Sequence, residues 1–139
     1  ANVYGPRQDP HGESGVVAIF AQRLVRGEPV TIDGDGEQTR DFVYVDDVVD
    51  AFVRGAARGG GLVLNIGTGQ GTSVNEIYRV LAAAAGVDTE AERGPARPSD
   101  IRHSSLDPAR AAMHLGWQPW TTLEDGLAAV LADFAGRAG

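Results

Sequence analysis

Arg40 is the residue whose presence local structure does the least to explain. It ends the turn-like run Gly34-Asp35-Gly36-Glu37-Gln38-Thr39 and stands at the mouth of the apolar stretch Phe42-Val43-Tyr44-Val45. Glycine tolerates φ > 0 and aspartate bonds its own backbone, so the Gly-Asp-Gly part is turn chemistry. Nothing in that chemistry asks for an arginine. A guanidinium is permanently charged and presents a planar fork of donors that fits phosphate oxygens. The plain alternative is an ion pair with Asp41 or Glu37 on a solvated turn, and the residues by themselves favour it. Arg97 and Asp100 form a second group around Pro98-Ser99. Here a guanidinium suits phosphate, and a carboxylate, acceptor only, suits hydroxyl donors. The alternative is a proline-stiffened surface loop with scattered charge. Asn2, ahead of Gly5-Pro6, reads equally as an Asx turn.

Other chemistries are poorly served. The chain has no cysteine and no lysine; its twelve basic residues are all arginine. A P-loop therefore fails, because it needs Gly-Lys-Ser/Thr. His11, His103 and His114 lack metal-ligand spacing. Gly12-Glu13-Ser14-Gly15-Val16-Val17-Ala18 fits the bare G-x-x-G-x-x-A pattern. A dinucleotide fingerprint must follow a buried strand, whereas this one follows a proline-bounded loop, Pro6 to His11.

The elements that must carry these residues read as α/β, with short strands and about five helices in a single domain, 1–139. Val16, Val17, Ile19, Phe20, Leu24 and Val25 recur near helical period and Gly27 stops them. Strands are expected at Pro29–Asp33 and Asp41–Val45. A helix capped by Asp46 or Asp47 then runs to about Arg58. The apolar run Leu62–Ile66 reads as a parallel strand covered on both faces. A Gly67–Thr72 turn follows, then a Ser73/Glu76 capping box opening a helix that ends near Gly86. Thr89–Arg93 reads as strand. Asp107-Pro108 opens a helix ending at Gly116, and Thr121-x-x-Glu124 opens the last, to about Ala135. Trp117 and Trp120, flanking Pro119, read as an apolar anchor for that final helix.

Composition bounds the function. With 139 residues and 42% hydrophobic content the chain supports one ordinary core. A net charge of −7 argues against nucleic-acid binding, so a polyphosphate ligand must rely on local arginines. No apolar run approaches a membrane span, and cysteine-free composition suits a reducing cytoplasm.

Several motifs in order carry a resemblance: Asn2-Val3-Tyr4-Gly5-Pro6-Arg7-Gln8, then Gly34 to Val45, then Asn65-Ile66-Gly67-Thr68-Gly69. From Asn2 to about Gly126 the chain resembles the C-terminal, substrate-binding half of NAD-dependent epimerases and dehydratases of the extended short-chain dehydrogenase family, closest to the UDP-hexose 4-epimerase branch. The resemblance implies the smaller substrate domain plus a strand–helix unit of a Rossmann-type sheet. It implies that Arg40 and Arg97 grip a UDP-sugar diphosphate, that Asp100 takes ribose hydroxyls, and that Asn2 lies near the phosphates. Uracil would lie near Thr31, Ile32 and Val16. Many relatives carry an aromatic where this chain has Asp33, and glycine where it has Ser99. The glycine-rich Gly67–Gly71 turn is structural in that reading.

The same resemblance implies what is missing. The family's chemistry uses a Tyr-x-x-x-Lys pair and an N-terminal glycine-rich NAD loop. No basic residue stands four positions after Tyr4, Tyr44 or Tyr78. The expectation is therefore a chain without catalytic or cofactor-binding residues of its own, whose parent holds NAD mainly through an N-terminal Rossmann half. That parent would oxidise the sugar at C4, let the keto-sugar turn and reduce it again. The other readings are half of a nucleotide-sugar dehydratase or decarboxylase, and a stand-alone non-catalytic binding module. Without its sheet partners, Leu62–Ile66 is expected to promote self-association.

Overall fold

Strand pairing in this protein joins segments far apart in sequence. In the computed structural model, which describes residues 1–11, 15–58, 60–98 and 100–138, β1 (Asn2–Tyr4) lies parallel to β4 (Phe42–Tyr44). β2 (Thr31–Asp33) lies parallel to β6 (Glu92–Gly94), with Thr31 opposite Glu92 and Asp33 opposite Gly94. β3 (Thr39–Arg40) runs antiparallel to β5 (Thr72–Ser73), and Thr39 also bridges His103. Between them stand α1 (Val16–Val25), α2 (Val45–Arg58), α3 (Val74–Ala85), α4 (Ala109–Leu115) and α5 (Leu123–Ala138). Gly12 to Ser14 of the G-x-x-G reading and the Ser99 departure lie outside the described residues.

Two apolar clusters hold these pieces. The larger packs α1, α3 and α5 together through Phe20, Leu81, Leu127 and Phe134, with Tyr4, Ile32 and Phe42 beneath them. The smaller joins α2 to α4 through Val43, Ala51, Ala111 and Leu115 around a fully buried Trp117. The Trp117 indole N–H donates to Asp47 O at 2.8 Å, which satisfies the one polar atom that burial would otherwise orphan. Trp117 thus anchors α4 and α2, whereas Trp120 is more than half exposed.

Local signals held unevenly. Ser73 Oγ accepts from Glu76 N at 3.1 Å, as the capping box requires, but the Glu76 carboxylate pairs with Arg79 instead of reaching back. Asp107 Oδ1 accepts from Ala109 N ahead of α4. The cap of α5 is Thr122, which accepts from Asp125 N, one residue later than the sequence pattern indicates. Thr121 is drawn away by Asp47, whose carboxylate accepts from its N–H and its hydroxyl at 3.2 and 2.8 Å. Asp47 consequently does not cap α2; β4 runs straight into that helix.

Leu62–Ile66 is not a strand, because no described segment offers it a hydrogen-bonding edge. Its side chains still alternate: Leu64 and Ile66 pack on the smaller cluster while Val63 is 81% exposed. An apolar groove of about 380 Å³ lies between this segment and α2, beside an exposed Phe52.

Gly126, buried in α5, touches the Tyr4 hydroxyl, and a Cβ there would collide with it. Gly126→Ala is expected to cost about 1–3 kcal/mol, the usual range for overpacking. Urea unfolding checks this, and a Tyr4→Phe background should recover part of the loss in a double-mutant cycle. An additive cycle would mean that the collision is relieved elsewhere.

Candidate functional site

Arg40 sits where three chain segments meet. Backbone bonds Thr39 N–Arg102 O (2.9 Å) and Ser104 N–Thr39 O (3.1 Å) lay residues 102–104 alongside β3. That placement brings Asp100 and Ile101 against the Arg40 guanidinium. The guanidinium donates to Thr39 O at 2.7 Å and Ile101 O at 2.5 Å, and it pairs with the Asp100 carboxylate. The local ion pair with Asp41 or Glu37 is not formed.

Asp41 points the opposite way, as alternation along an extended chain requires. Its buried carboxylate accepts from Thr68 N (2.8 Å), Thr68 Oγ1 (2.6 Å), Gly69 N (3.0 Å) and Leu106 N (3.2 Å). Gly67 fits only because it lacks a side chain, since a Cβ there would stand 2.6 Å from Asp41 Oδ2. The Gly67–Gly71 turn is therefore structural, as read from sequence.

The preceding turn is equally tied down. Gly36, at φ 73°, closes on Asn75, which donates to Asp35 O (2.9 Å) and Glu37 Oε1 (2.6 Å). Arg102 grips the Asp35 carboxylate with both Nη atoms at 2.8 Å, fixing the segment beside β3. That hydrogen-bonded guanidinium holds the Asp35 carboxyl below the usual carboxylate range, at about 2. A depressed folded-state pKa stabilises above the unfolded value and loses that contribution as pH falls through the folded one. The contribution from this group should accordingly persist at pH 4–5 and disappear toward pH 2. Arg102→Ala is expected to return the Asp35 titration, followed by carboxyl NMR, toward about 3.9; an unmoved titration would contradict the assigned cause.

Arg97 completes the arrangement. Asp100 N donates to Arg97 O at 3.1 Å, and both residues line one cavity. Arg97 Nε donates to Asp33 Oδ2 at 2.6 Å. The two ion pairs cross: Arg40 of β3 meets Asp100, and Arg97 meets Asp33 of β2.

One cavity of about 480 Å³ is lined by all seven residues singled out from the sequence: Asn2, Val16, Thr31, Ile32, Arg40, Arg97 and Asp100. Its floor is apolar, with Ile19, Phe20, Phe42 and Val74 joining Val16 and Ile32. Arg23, Asp33 and Gln38 also line it and were not singled out as site residues. Arg23 Nη1 donates to Pro29 O at 2.9 Å, and Gln38 Nε2 to Asp33 O at 3.3 Å. Gln38 lies inside the same informative stretch as Arg40; Arg23 carries no sequence signal beyond charge in the last turn of a helix. The arrangement offers guanidinium groups and apolar surface in one cavity.

Tyr4 and Tyr44 are not poised as bases. Burial, and then the charge of Asp47, push the Tyr4 phenol well above its ordinary pKa; burial and Asp46 raise that of Tyr44. No group of His, Asp or Glu among the described residues has metal-binding geometry. None of the described helices is long and apolar enough to cross a membrane.

The NAD dependent epimerase/dehydratase family model matches residues 1–67. Similarity extends past that match: the chain is 53% identical over 138 residues to UDP-glucose 4-epimerase of Mycolicibacterium smegmatis, covering 99% of this chain and 44% of that protein. The chain is thus similar to members of the NAD-dependent epimerase/dehydratase family along its whole length. Among solved structures, it superposes on a UDP-glucose 4-epimerase of Thermotoga maritima with UDP-glucose at a TM-score of 0.96 and 50% identity, over 100% of this chain and 45% of that one. The UDP-glucose 4-epimerase of Thermus thermophilus, in complex with NAD, gives a TM-score of 0.84 at 42% identity, over 97% and 44% of the two chains. The chain thus spans less than half the length of these relatives.

The Gly67–Gly71 turn and the start of α3 do not offer a seat for a cofactor pyrophosphate. A glycine-rich turn binds such a group through free backbone N–H donors at a helix start. In the Gly67–Gly71 turn, the Thr68 and Gly69 N–H groups are already bonded to the Asp41 carboxylate. The first turn of α3 is likewise engaged, with Glu76 N on Ser73.

Proposed function

We propose that this chain is the substrate-binding half of an NAD-dependent UDP-hexose 4-epimerase and grips the diphosphate of a UDP-sugar. The observation that carries the reading is the shared cavity, lined by Arg40 and Arg97 together with the apolar Val16, Ile32 and Phe42. Two carbonyls take the Nη1 protons of Arg40 and fix the guanidinium plane, so little side-chain entropy is lost when Nη2 exchanges Asp100 for a phosphate. On phosphate entry Asp100 leaves Arg40 for the ribose hydroxyls, which a carboxylate can accept from. Asn2 at the head of β1 faces the same space, and Thr31 and Ile32 border the base.

Gripping the nucleotide and not the sugar suits an epimerase. Binding energy from the remote UDP part positions the reacting carbon without fixing which face it shows. NAD is assigned to the remainder of the protein, an N-terminal Rossmann half seated against the apolar groove between α2 and Leu62–Ile66. The setting is cytoplasmic in this reading. Left alone, the same groove favours self-association of the chain.

Calorimetry and an activity assay on the purified chain test the division of labour. UDP is expected to bind, and UDP-galactose with NAD to give no turnover. Turnover by the chain alone would place the chemistry within these residues, and absence of UDP binding would remove the substrate-binding assignment.

A further inference from the structure

Asp33 has no role in the scheme above, yet it sits in the cavity with its carboxylate on one of the two phosphate-gripping arginines. Its Cα is fixed in β2, opposite Gly94 of β6, and Gly34 N donates to Gly94 O at 3.1 Å just beyond. Its other oxygen lies over Gly94, whose missing Cβ leaves room for the carboxylate, since a Cβ there would come within 2.7 Å. On a short side chain with its Cα held by the sheet, the charge remains beside the phosphates after a ligand has displaced it from Arg97.

The charged lining consists of Arg23, Arg40 and Arg97 against Asp33 and Asp100 among the described residues, one net positive charge. Ligands that share a nucleoside diphosphate core differ in charge. The diphosphate of a nucleotide sugar is a diester with two charges, whereas a free diphosphate ends in a monoester whose second pKa is about 6 and so carries nearly one more. A carboxylate held there penalises each added negative charge by Coulomb repulsion, damped by water because the Asp33 side chain is 31% exposed.

We propose that Asp33 is a specificity-determining residue that tunes the cavity to a diphosphate diester and against free diphosphate and more highly charged nucleotides. This rests on the assignment of Arg40 and Arg97 to phosphate. It gives Asp33 an electrostatic task in the cavity.

Pyrophosphate, UDP and UDP-glucose, titrated calorimetrically into the wild-type chain, Asp33→Asn and Asp33→Glu, test the proposal. Asp33→Asn is expected to tighten pyrophosphate binding by about three- to tenfold and to raise the UDP-to-UDP-glucose affinity ratio by about twofold or more. Both effects should shrink at high salt. Asp33→Glu, which keeps the charge, should retain the wild-type ratio. Pyrophosphate carries no uridine, so its tightening without any UDP binding would support the charge rule while defeating the nucleotide-sugar reading. Unchanged or weaker pyrophosphate binding in Asp33→Asn, or equal gains for UDP and UDP-glucose, would overturn the proposal.

Discussion

Arg40→Ala is expected to weaken UDP binding by roughly ten- to more than a hundred-fold, about 1.5–3 kcal/mol, the range for hydrogen bonds to a charged group. Arg40 exposes only 20% of its side chain, and two carbonyls on Nη1 fix its guanidinium plane before the ligand takes the place of Asp100 on Nη2. Arg97→Ala should fall at the lower end of the same range, because its side chain is 75% exposed and water screens its charge. Arg40→Lys should rescue only part of the loss, since lysine keeps the charge but not the planar fork. Calorimetry with UDP measures all three without interference from the sugar. UDP affinity unchanged in both alanine variants would return the two arginines to the status of surface charges.

Asp41→Ala is expected to lose stability and not merely affinity. Four donors converge on that buried carboxylate, three of them backbone N–H groups with no other partner in a helix or ladder. Leaving even two of them unsatisfied costs about 3 kcal/mol or more. For a chain of this size that lowers Tm by on the order of 10 °C. Gly67→Ala, which forces a methyl group against the same carboxylate, should act in the same direction with Asp41 intact. Thermal unfolding by circular dichroism checks both, and a wild-type Tm for either variant would show that the turn accommodates the change.

Sequence made legible what depends on near neighbours and on single residue types. The Ser73 cap, the stops at Gly86 and Gly116 and the helical period of Val16 to Val25 are all local, and each has its counterpart in the structure. The seven cavity residues came from motif resemblance, and they share one cavity. What escaped depends on distant partners. Nothing local tells that Arg40 will meet Asp100 instead of Asp41, because only the pairing of β3 with residues 102–104 decides it. Asp47 looks like a helix cap until Thr121 arrives from far along the chain. Leu62–Ile66 has the composition of a buried strand, but a ladder needs an edge, and none of the described segments supplies one.

The long-range pairing described first also sets the order in which this protein must fold. The α1–α3–α5 helices can form early from local contacts, but every ladder that shapes the cavity closes a large loop: Asn2 to Phe42, Thr31 to Glu92, Thr39 to Ser73 and to His103. Loop-closure entropy must be overcome before such contacts return anything, so chains dominated by them fold in milliseconds to seconds, not microseconds. Helical signal should therefore recover well before ligand binding does. During that interval the chain displays formed helices and an open, unassembled cavity, the state from which aggregation competes with completion.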